Sequence, residues 1–191
     1  MKSTSCRWIK ACLGIVIVAF CVWTPLLLQA EGTRLVSIGV RGGLSGSSPI
    51  GEIERERFRQ YDVLAMVGLP WEWYRPSGWG VGTRLLVSAG ALTAAGQTGF
   101  VGSLLPGLSL GKKDGWVSFE AGAGAALLSR YIFGSHSMGG PFQFVWEVGI
   151  RSRVYRCWGI GYWFQHMSDA TIYREKGIGV DLHVIEAVYR Y

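Results

Sequence analysis

The sequence is short of charge and of long apolar runs. Of its 191 residues, 19 are Lys or Arg and 13 are Asp or Glu, so 17% are charged, compared with a usual share of roughly 25%. A chain with so little charge and 49% hydrophobic residues is neither a disordered tail nor a charged coiled coil. From Thr33 onward, no apolar run approaches the length of about 20 residues that a transmembrane helix needs. These absences exclude a helical membrane domain over most of the chain.

The N-terminal segment differs from the rest and is typical of a secretory signal peptide. Three Lys and Arg residues give a basic start, an apolar run spans Ala11 to Leu28, and Ala30 offers a small residue for cleavage. The alternative is a transmembrane anchor, for which the run is near the lower limit of length. We favour a signal peptide over 1–30 and a mature domain over 31–191.

Removal of this leader changes the cysteine count and the charge. Cys157 is then the one remaining cysteine, so no internal disulfide is expected. The leader carries three cations and no acid, so the net charge falls from +6 to +3, and a nucleic-acid partner is not indicated. The sequence contains no Cys/His metal spacing, no phosphate-cradling loop and no dinucleotide motif, so we expect neither a metal nor another cofactor.

What the sequence does contain is glycine and aromatic residues, which favour many short strands. There are 28 Gly, nine Trp, eight Tyr and eight Phe. Segments of alternating polarity recur between turn residues at 34–42, 58–69, 79–91, 99–110, 116–130, 142–154, 158–169 and 181–191. Their number is even, as a closed up-and-down barrel of a bacterial outer membrane requires. We therefore predict an all-β fold, an eight-stranded antiparallel transmembrane β-barrel.

The alternation separates an apolar face from a Gly-rich, mixed polar face. In the sixth segment, Phe144 and Trp146 share one side, while Glu147 and Arg151 share the other. A water-soluble lipocalin-like barrel would turn the apolar face inward, whereas a small membrane barrel turns it toward lipid around a polar lumen. We favour the membrane barrel, because a narrow lumen could not hold so many large aromatics. They also cluster near segment ends, as interfacial girdles do.

An exported chain with an even number of strands has both termini in the periplasm. Odd strands then run outward and even strands return. The turns at 70–78, 111–115 and 154–158 are expected in the periplasm. The loops expected outside the cell are 43–57, 92–98, 131–141 and 170–180.

The candidate chemistry lies at the end of the seventh segment. In a strand, residues i and i+2 point to the same side about 6.5–7 Å apart, so the hydroxyl of Ser168 could approach the imidazole of His166. Both continue the lipid-facing parity of Tyr162 and Phe164. Asp181 has the lipid-facing parity of the last segment and is expected at the same height on the adjacent strand. A polar group on a lipid-facing surface costs free energy, which favours a functional role, although His-x-Ser also occurs by chance.

Three stretches near the C-terminus carry a family resemblance. They are Gly-Gly-Pro-Phe-Gln-Phe at 139–144, Tyr-Trp-Phe-Gln-His-Met-Ser-Asp-Ala-Thr-Ile-Tyr at 162–173 and Gly-Val-Asp-Leu-His at 179–183. With the closing Tyr-Arg-Tyr, they resemble the lipid A 3-O-deacylase family, the acyloxyacyl-hydrolase-like outer-membrane barrels. The resemblance is specific over 139–191 and only architectural over 33–138.

The resemblance implies an outer-membrane esterase that hydrolyses the 3-O-linked acyl chain of lipid A in lipopolysaccharide and releases a 3-hydroxy fatty acid. By this resemblance His166 would be the general base, Ser168 the nucleophile and Asp181 the acid that orients the imidazole. Asp169 stands where the family usually has Asn, so it is a candidate oxyanion position or an alternative acid. The loop at 174–179 also departs from the family's Asn-Pro-Gly pattern, which leaves the choice of acid open.

Weaker candidates surround this set. Phe164, Tyr162 and Phe144 are candidates for contact with the acyl chain. Arg174 and Lys176 are candidates for contact with headgroup phosphates, although both are equally explained as solvated loop charges. The main alternative is a non-catalytic structural or adhesion barrel that retains the His-x-Ser motif. A third hypothesis is an acyltransferase or phospholipase on the same barrel.

Overall fold

The computed structural model describes residues 32–46, 55–113, 115–173 and 177–191. The predicted leader over 1–30, together with Arg174 and Lys176, lies outside these described residues. Within them, no helix is long and apolar enough to cross a membrane. The described residues form ten strands: β1 (Arg34–Ser45), β2 (Arg59–Tyr74), β3 (Trp79–Ala94), β4 (Gln97–Lys112), β5 (Val117–Leu128), β6 (Ile132–Phe133), β7 (His136–Ser137), β8 (Phe142–Tyr155), β9 (Trp158–Ser168) and β10 (Val180–Arg190).

Eight of these strands close into an antiparallel barrel in the order β1-β10-β9-β8-β5-β4-β3-β2. The predicted eight-stranded barrel is confirmed, and each predicted segment corresponds to one barrel strand. Strands β6 and β7 pair only with each other, as a short hairpin in the connection between β5 and β8. We call the end of the barrel that carries this hairpin the loop end, and the end that carries both termini of the barrel the turn end.

Several strands are longer than the sequence pattern indicated. β2 continues to Tyr74, so the predicted turn at 70–78 shortens to 75–78. The pairing of β2 with β3 shifts between Gly68 and Glu72, where Pro70 lacks an N–H group for the ladder. The predicted loop at 92–98 is a two-residue turn, Ala95-Gly96, with φ of 48° and 69°. Such left-handed pairs match the twist of a tight hairpin.

The apolar faces of the strands lie on the outside of the barrel, as predicted. The side chains that alternate with buried neighbours along β8 and β9 are exposed and almost all apolar. A surface of this kind suits contact with hydrocarbon rather than water. The exposed set on these two strands includes Phe144, Trp146, Val148, Ile150, Trp158, Ile160 and Tyr162.

The middle of the lumen is held by a network of buried ion pairs. Arg41 Nε lies 2.8 Å from Asp62 Oδ2, and Arg151 Nη2 lies 2.7 Å from Glu186 Oε1. The indole of Trp163 contacts the guanidinium groups of Arg84 and Arg151, at 4.9 and 5.2 Å from the ring centroid. Charges buried in this way are stable because each has an opposite partner. The network comprises Arg41, Arg84, Arg151, Asp62, Glu120, Glu147 and Glu186.

Toward the loop end, the lumen is mixed, with more apolar side chains than at its middle. Many inward positions there carry apolar side chains beside the buried amides of Gln60 and Gln165, and the β6–β7 hairpin adds Phe133, which is fully buried. Its ring packs edge to face against Phe58, with a centroid distance of 5.4 Å. The hairpin buries an apolar cluster at the mouth that water would otherwise reach. The rest of the cluster near this end includes Leu92, Leu128, Met138, Met167 and Leu182.

Candidate active site

His166 and Asp181 form a close pair on the outside of the barrel near the loop end. The two residues are register partners on adjacent strands β9 and β10. His166 Nδ1 lies 2.6 Å from Asp181 Oδ1, the length of a strong charge-assisted hydrogen bond. Asp181 is only 1% exposed and His166 only 9%. With Nδ1–H donating to the carboxylate, Nε2 carries the basic lone pair of the imidazole.

Ser168 lies two residues beyond His166 on the same face of β9. It is the last residue of the strand, it is half-buried, and it pairs with Phe144 of β8. Among the described residues, its hydroxyl makes no hydrogen bond to His166 within 3.5 Å. Catalytic hydrogen bonds are often long or unformed in a ligand-free enzyme, and one rotation about χ1 redirects a serine hydroxyl. The structure thus brings the three predicted residues to one patch but leaves the Ser168–His166 contact unmade.

An aromatic wall lies next to this patch on the lipid-facing surface. The indole of Trp146 lies at 5.6 Å from the His166 ring and at 5.5 Å from the Phe164 ring, between ring centroids. Trp146 pairs with His166 across β8 and β9, which fixes one side of the imidazole. Phe144 precedes it on the same face and packs edge to face against Phe142 at 5.3 Å. These exposed rings form an apolar surface that leads from Ser168 toward the middle of the barrel wall.

A second polar pair lies below the first on the same face. Tyr162 Oη lies 2.7 Å from His183 Nδ1, and His183 pairs with Phe164 across β9 and β10. The His183 ring contacts both aromatic neighbours, at 5.7 Å from Phe164 and 6.2 Å from Tyr162. Tyr162 therefore contributes a hydroxyl as well as an apolar ring to the surface that we predicted for the acyl chain.

The carboxylate of Asp169 belongs to the turn that follows β9. Its Oδ1 accepts a hydrogen bond from Thr171 N at 3.1 Å, and its carbonyl oxygen accepts one from Ile172 N at 3.0 Å. Ala170 and Thr171 have φ of 47° and 63°, a conformation that costs free energy in non-glycine residues and needs such bonds. Asp169 is 3% exposed, and its Oδ2 lies against Gly139. These contacts hold Asp169 in the turn, whereas the carboxylate that contacts His166 is that of Asp181.

His136 joins three segments of the loop end, although the sequence indicated only a loop residue there. Its Nε2 lies 3.0 Å from the Ile178 carbonyl oxygen, and its Nδ1 accepts a 3.4 Å hydrogen bond from Arg55 N. Ile178 N in turn donates to Ser137 O at 2.9 Å. Burial, helped by the charge of Arg55, lowers the pKa of His136 and outweighs the opposing effect of the Ile178 carbonyl. A neutral His136 thus holds the segment that leads into Asp181.

Tyr173 fixes the turn after Ser168 to the start of β8. Its ring lies against Gly140, where a Cβ atom would overlap it, and its hydroxyl accepts a hydrogen bond from Phe142 N at 3.1 Å. The sequence reading missed this role of Tyr173, those of His183 and His136, and the contact of Trp146 with the His166 ring, although it placed Trp146 on the surface for the acyl chain. The parity of Trp146 and His183 indicated their face, but no signal in the sequence indicated the contacts of Tyr173 and His136, which join distant loops. Arg174 and Lys176 lie outside the described residues.

Comparisons with known proteins identify a family and solved barrels with a similar fold. The model of one family, Lipid A 3-O-deacylase (PagL), matches residues 59–190. A crystal structure of the outer membrane enzyme PagL superposes with a TM-score of 0.63 at 17% identity, covering 80% of this chain and 98% of that one. Two structures of the Yersinia pestis outer membrane protein Ail give TM-scores of 0.42 and 0.43, at 13% and 15% identity, over 82% and 84% of this chain and 99% of each of theirs. No curated protein matches the sequence.

Proposed function

We propose that this chain, which belongs to the lipid A 3-O-deacylase family, cleaves its substrate with Ser168 as nucleophile, His166 as general base and Asp181 as the supporting acid. The family match extends from the start of β2 to the end of β10. The chain is accordingly an ester hydrolase of the bacterial outer membrane that acts on lipid A. The observation that carries the finer assignment is the 2.6 Å contact between His166 and Asp181 on the outer surface.

The first half of the reaction forms an acyl-enzyme. Nε2 of His166 takes the proton of the Ser168 hydroxyl while the serine oxygen attacks the carbonyl carbon of the 3-O-linked ester. Asp181 stabilises the imidazolium through its hydrogen bond to Nδ1. The tetrahedral intermediate then collapses, the bond between the carbonyl carbon and the sugar oxygen breaks, and His166 returns the proton to that oxygen. The sugar hydroxyl leaves, and the acyl chain remains on Ser168.

The second half releases the acyl chain to water. His166 takes a proton from a water molecule as the water oxygen attacks the acyl-enzyme carbonyl. Collapse of the second intermediate returns the proton to Ser168 and frees a 3-hydroxy fatty acid. A sugar alcohol is a better leaving group than an amine, so a small site on the outer wall of the barrel can suffice for this ester.

The exposed aromatic wall supports the proposal for the substrate. The outward-facing rings of Phe144, Trp146, Phe164 and Tyr162 run along the barrel wall below Ser168. An acyl chain that contacts them stays in the hydrocarbon layer while its ester reaches the interface. Lipid A thus reaches the site from within the outer leaflet and does not need to leave the membrane.

The decisive experiment is mass spectrometry of lipid A from cells that express the protein and its variants. We expect loss of one 3-hydroxyacyl chain with the wild-type protein and intact lipid A with Ser168→Ala or His166→Asn. Ser152→Ala is a matched control, because Ser152 has the same lipid-facing parity but lies near the turn end of β8. Retained heat-modifiable migration on gels shows that each variant is folded.

The same spectra separate the competing functions. An acyltransferase would add a chain to lipid A, and a phospholipase would consume phospholipid without changing lipid A. A structural barrel would leave both unchanged although it inserts in the membrane. Deacylation that persists in folded Ser168→Ala protein would contradict the proposed nucleophile.

A further inference from the structure

A row of polar side chains crosses three strands on the side of the barrel away from the candidate active site. Arg59, the first residue of β2, pairs with Thr93 of β3, and Thr93 pairs with Thr98 of β4. In the closed order of eight strands, β3 lies four positions from β9. All three residues have the outward parity of their strands and lie next to the loop end, so they form one band at the height of the outer rim.

Arg59 of this band and the nearby Arg57 have no carboxylate partner among the described residues. Arg57 and Arg59 flank Phe58, whose ring lies in the lumen, and both are exposed. Neither forms an ion pair within 4.0 Å in the part of the chain that the structure describes. The neighbouring acid, Glu56, is turned the other way and accepts hydrogen bonds from the amide and hydroxyl of Ser135 at 3.2 and 3.0 Å. Within the described residues, therefore, no carboxylate compensates these two positive charges.

An apolar surface lies directly below the polar row. Tyr61 pairs with Ala91, and Ala91 pairs with Phe100, in the same three strands and one outward step toward the turn end. Tyr61 and Phe100 are 54% and 39% exposed. On the other side of Arg59, its β1 partner Leu44 is 57% exposed. Cationic and hydroxyl groups thus lie above an apolar band. In a phosphorylated lipid, the phosphate likewise lies above the acyl chains.

We propose that the surface formed by Arg57, Arg59, Thr93 and Thr98 binds the phosphorylated headgroup of a lipid A molecule, separately from the molecule in the active site. A charged side chain on the lipid-facing wall of a barrel is tolerated near the interface, where the phosphates of the outer leaflet lie. A guanidinium group binds a phosphate through paired, charge-assisted hydrogen bonds. The Thr98 hydroxyl can donate a further bond, whereas the Thr93 hydroxyl donates to the Arg59 carbonyl oxygen at 3.3 Å and holds the row together. The acyl chains of the same molecule would cover Tyr61 and Phe100. Only the identity of the lipid rests on the proposed function.

The test measures binding in a protein that cannot consume the lipid. Full-length protein carrying Ser168→Ala is purified in detergent, mixed with phosphorylated lipid A, and analysed by native mass spectrometry for bound lipid. Adding Arg57→Gln and Arg59→Gln removes two charge-assisted contacts to the phosphate. We therefore expect the retention of one lipid A molecule to weaken about tenfold or more. The matched control is Arg75→Gln with Arg156→Gln, two exposed arginines of the turn end.

Three results would overturn the proposal. The first is that the Arg57/Arg59 variant retains phosphorylated lipid A as well as the turn-end control does. The second is that the Ser168→Ala protein retains lipid A without phosphates as well as phosphorylated lipid A. The third is that it retains phosphatidylglycerol as well as phosphorylated lipid A. Support requires that added salt weaken the binding of lipid A to the Ser168→Ala protein more than to the Arg57/Arg59 variant. Salt screens exposed charge pairs, and the variant lacks the two cations of this surface. Hydrolysis is not measured here, so failure of this binding site and failure of the Ser168 mechanism give different results.

Discussion

Replacement of Asp181 by Asn tests the part of the site that the structure defines best. Asn has almost the same shape, so the variant removes the negative charge and leaves the buried volume of the site unchanged. The free energy lost in the transition state is mainly the attraction between the carboxylate and the imidazolium that forms on His166. With charge centres about 4 Å apart and an effective dielectric constant near 20, Coulomb's law gives about 4 kcal/mol. That loss corresponds to a decrease in kcat of about a thousandfold.

The assay is release of 3-hydroxy fatty acid from lipid A in vesicles, with kcat and KM measured separately. The aromatic wall is unchanged, so the expected effect is on kcat rather than KM. Ser168→Ala protein defines the background rate. Asp181→Glu is the informative companion, because it keeps the charge and changes only the reach of the side chain, so it should retain more activity than Asn.

A small effect would refute this reasoning. If folded Asp181→Asn protein lost less than about tenfold in kcat, the carboxylate would contribute under about 1.4 kcal/mol to the transition state. The 2.6 Å contact would then be a packing feature of β9 and β10. If Asp169→Asn instead caused the larger loss, the supporting acid would have to be reassigned to the turn.

Three further outcomes are expected. Asp169→Asn should keep most of the activity, because an Asn side chain can accept the same turn hydrogen bond, while Asp169→Ala should lower the melting temperature by removing it. The pKa of His136 is lowered in the folded protein, so its contribution to stability is present above its ordinary pKa of about 6.5 and is lost as the pH falls below it. The protection factor of the Ile178 amide, the exchange rate of an unfolded peptide divided by that of this amide at the same pH, should fall in acid, and His136→Gln should remove that fall. Arg41→Met leaves two buried carboxylates without this partner and should lower the free energy of unfolding in urea by about 3–5 kcal/mol, whereas Arg34→Met, in an exposed pair, should cost under about 1 kcal/mol.

The sequence predicts the barrel well because its signal is local. Over most of its length, strand β8 alternates between outward apolar side chains and buried, mostly polar ones, and that period of two alone assigns both the strand and its faces. The same parity placed His166 and Asp181 on one surface before any pairing was known. Local alternation cannot show where a strand stops, and β2 continued past the expected turn to Tyr74.

The alternation of polar and apolar residues does not predict contacts between distant loops. His136 contacts Ile178, 42 residues away, and Phe142 N contacts Tyr173, 31 residues away. Neither link has a periodic or compositional signature. The apolar cluster at the mouth was missed for a related reason. Phe133 belongs to a two-residue strand, too short to give a pattern, and its burial depends on how the hairpin folds over the barrel.

The buried polar groups of the lumen also bear on the chemistry outside. Directly behind His166, Gln165 points inward and donates a hydrogen bond to Gln60 at 3.3 Å, and Gln60 donates to Asp62 at 2.6 Å. Asp62 accepts from Arg41 at 2.8 Å. A slip of β9 by one residue would move His166 into the lumen and Gln165 into lipid, because successive side chains of a strand face opposite ways. Such a slip would break this buried chain of hydrogen bonds, so the lumen stabilises the one register in which His166 lies opposite Asp181.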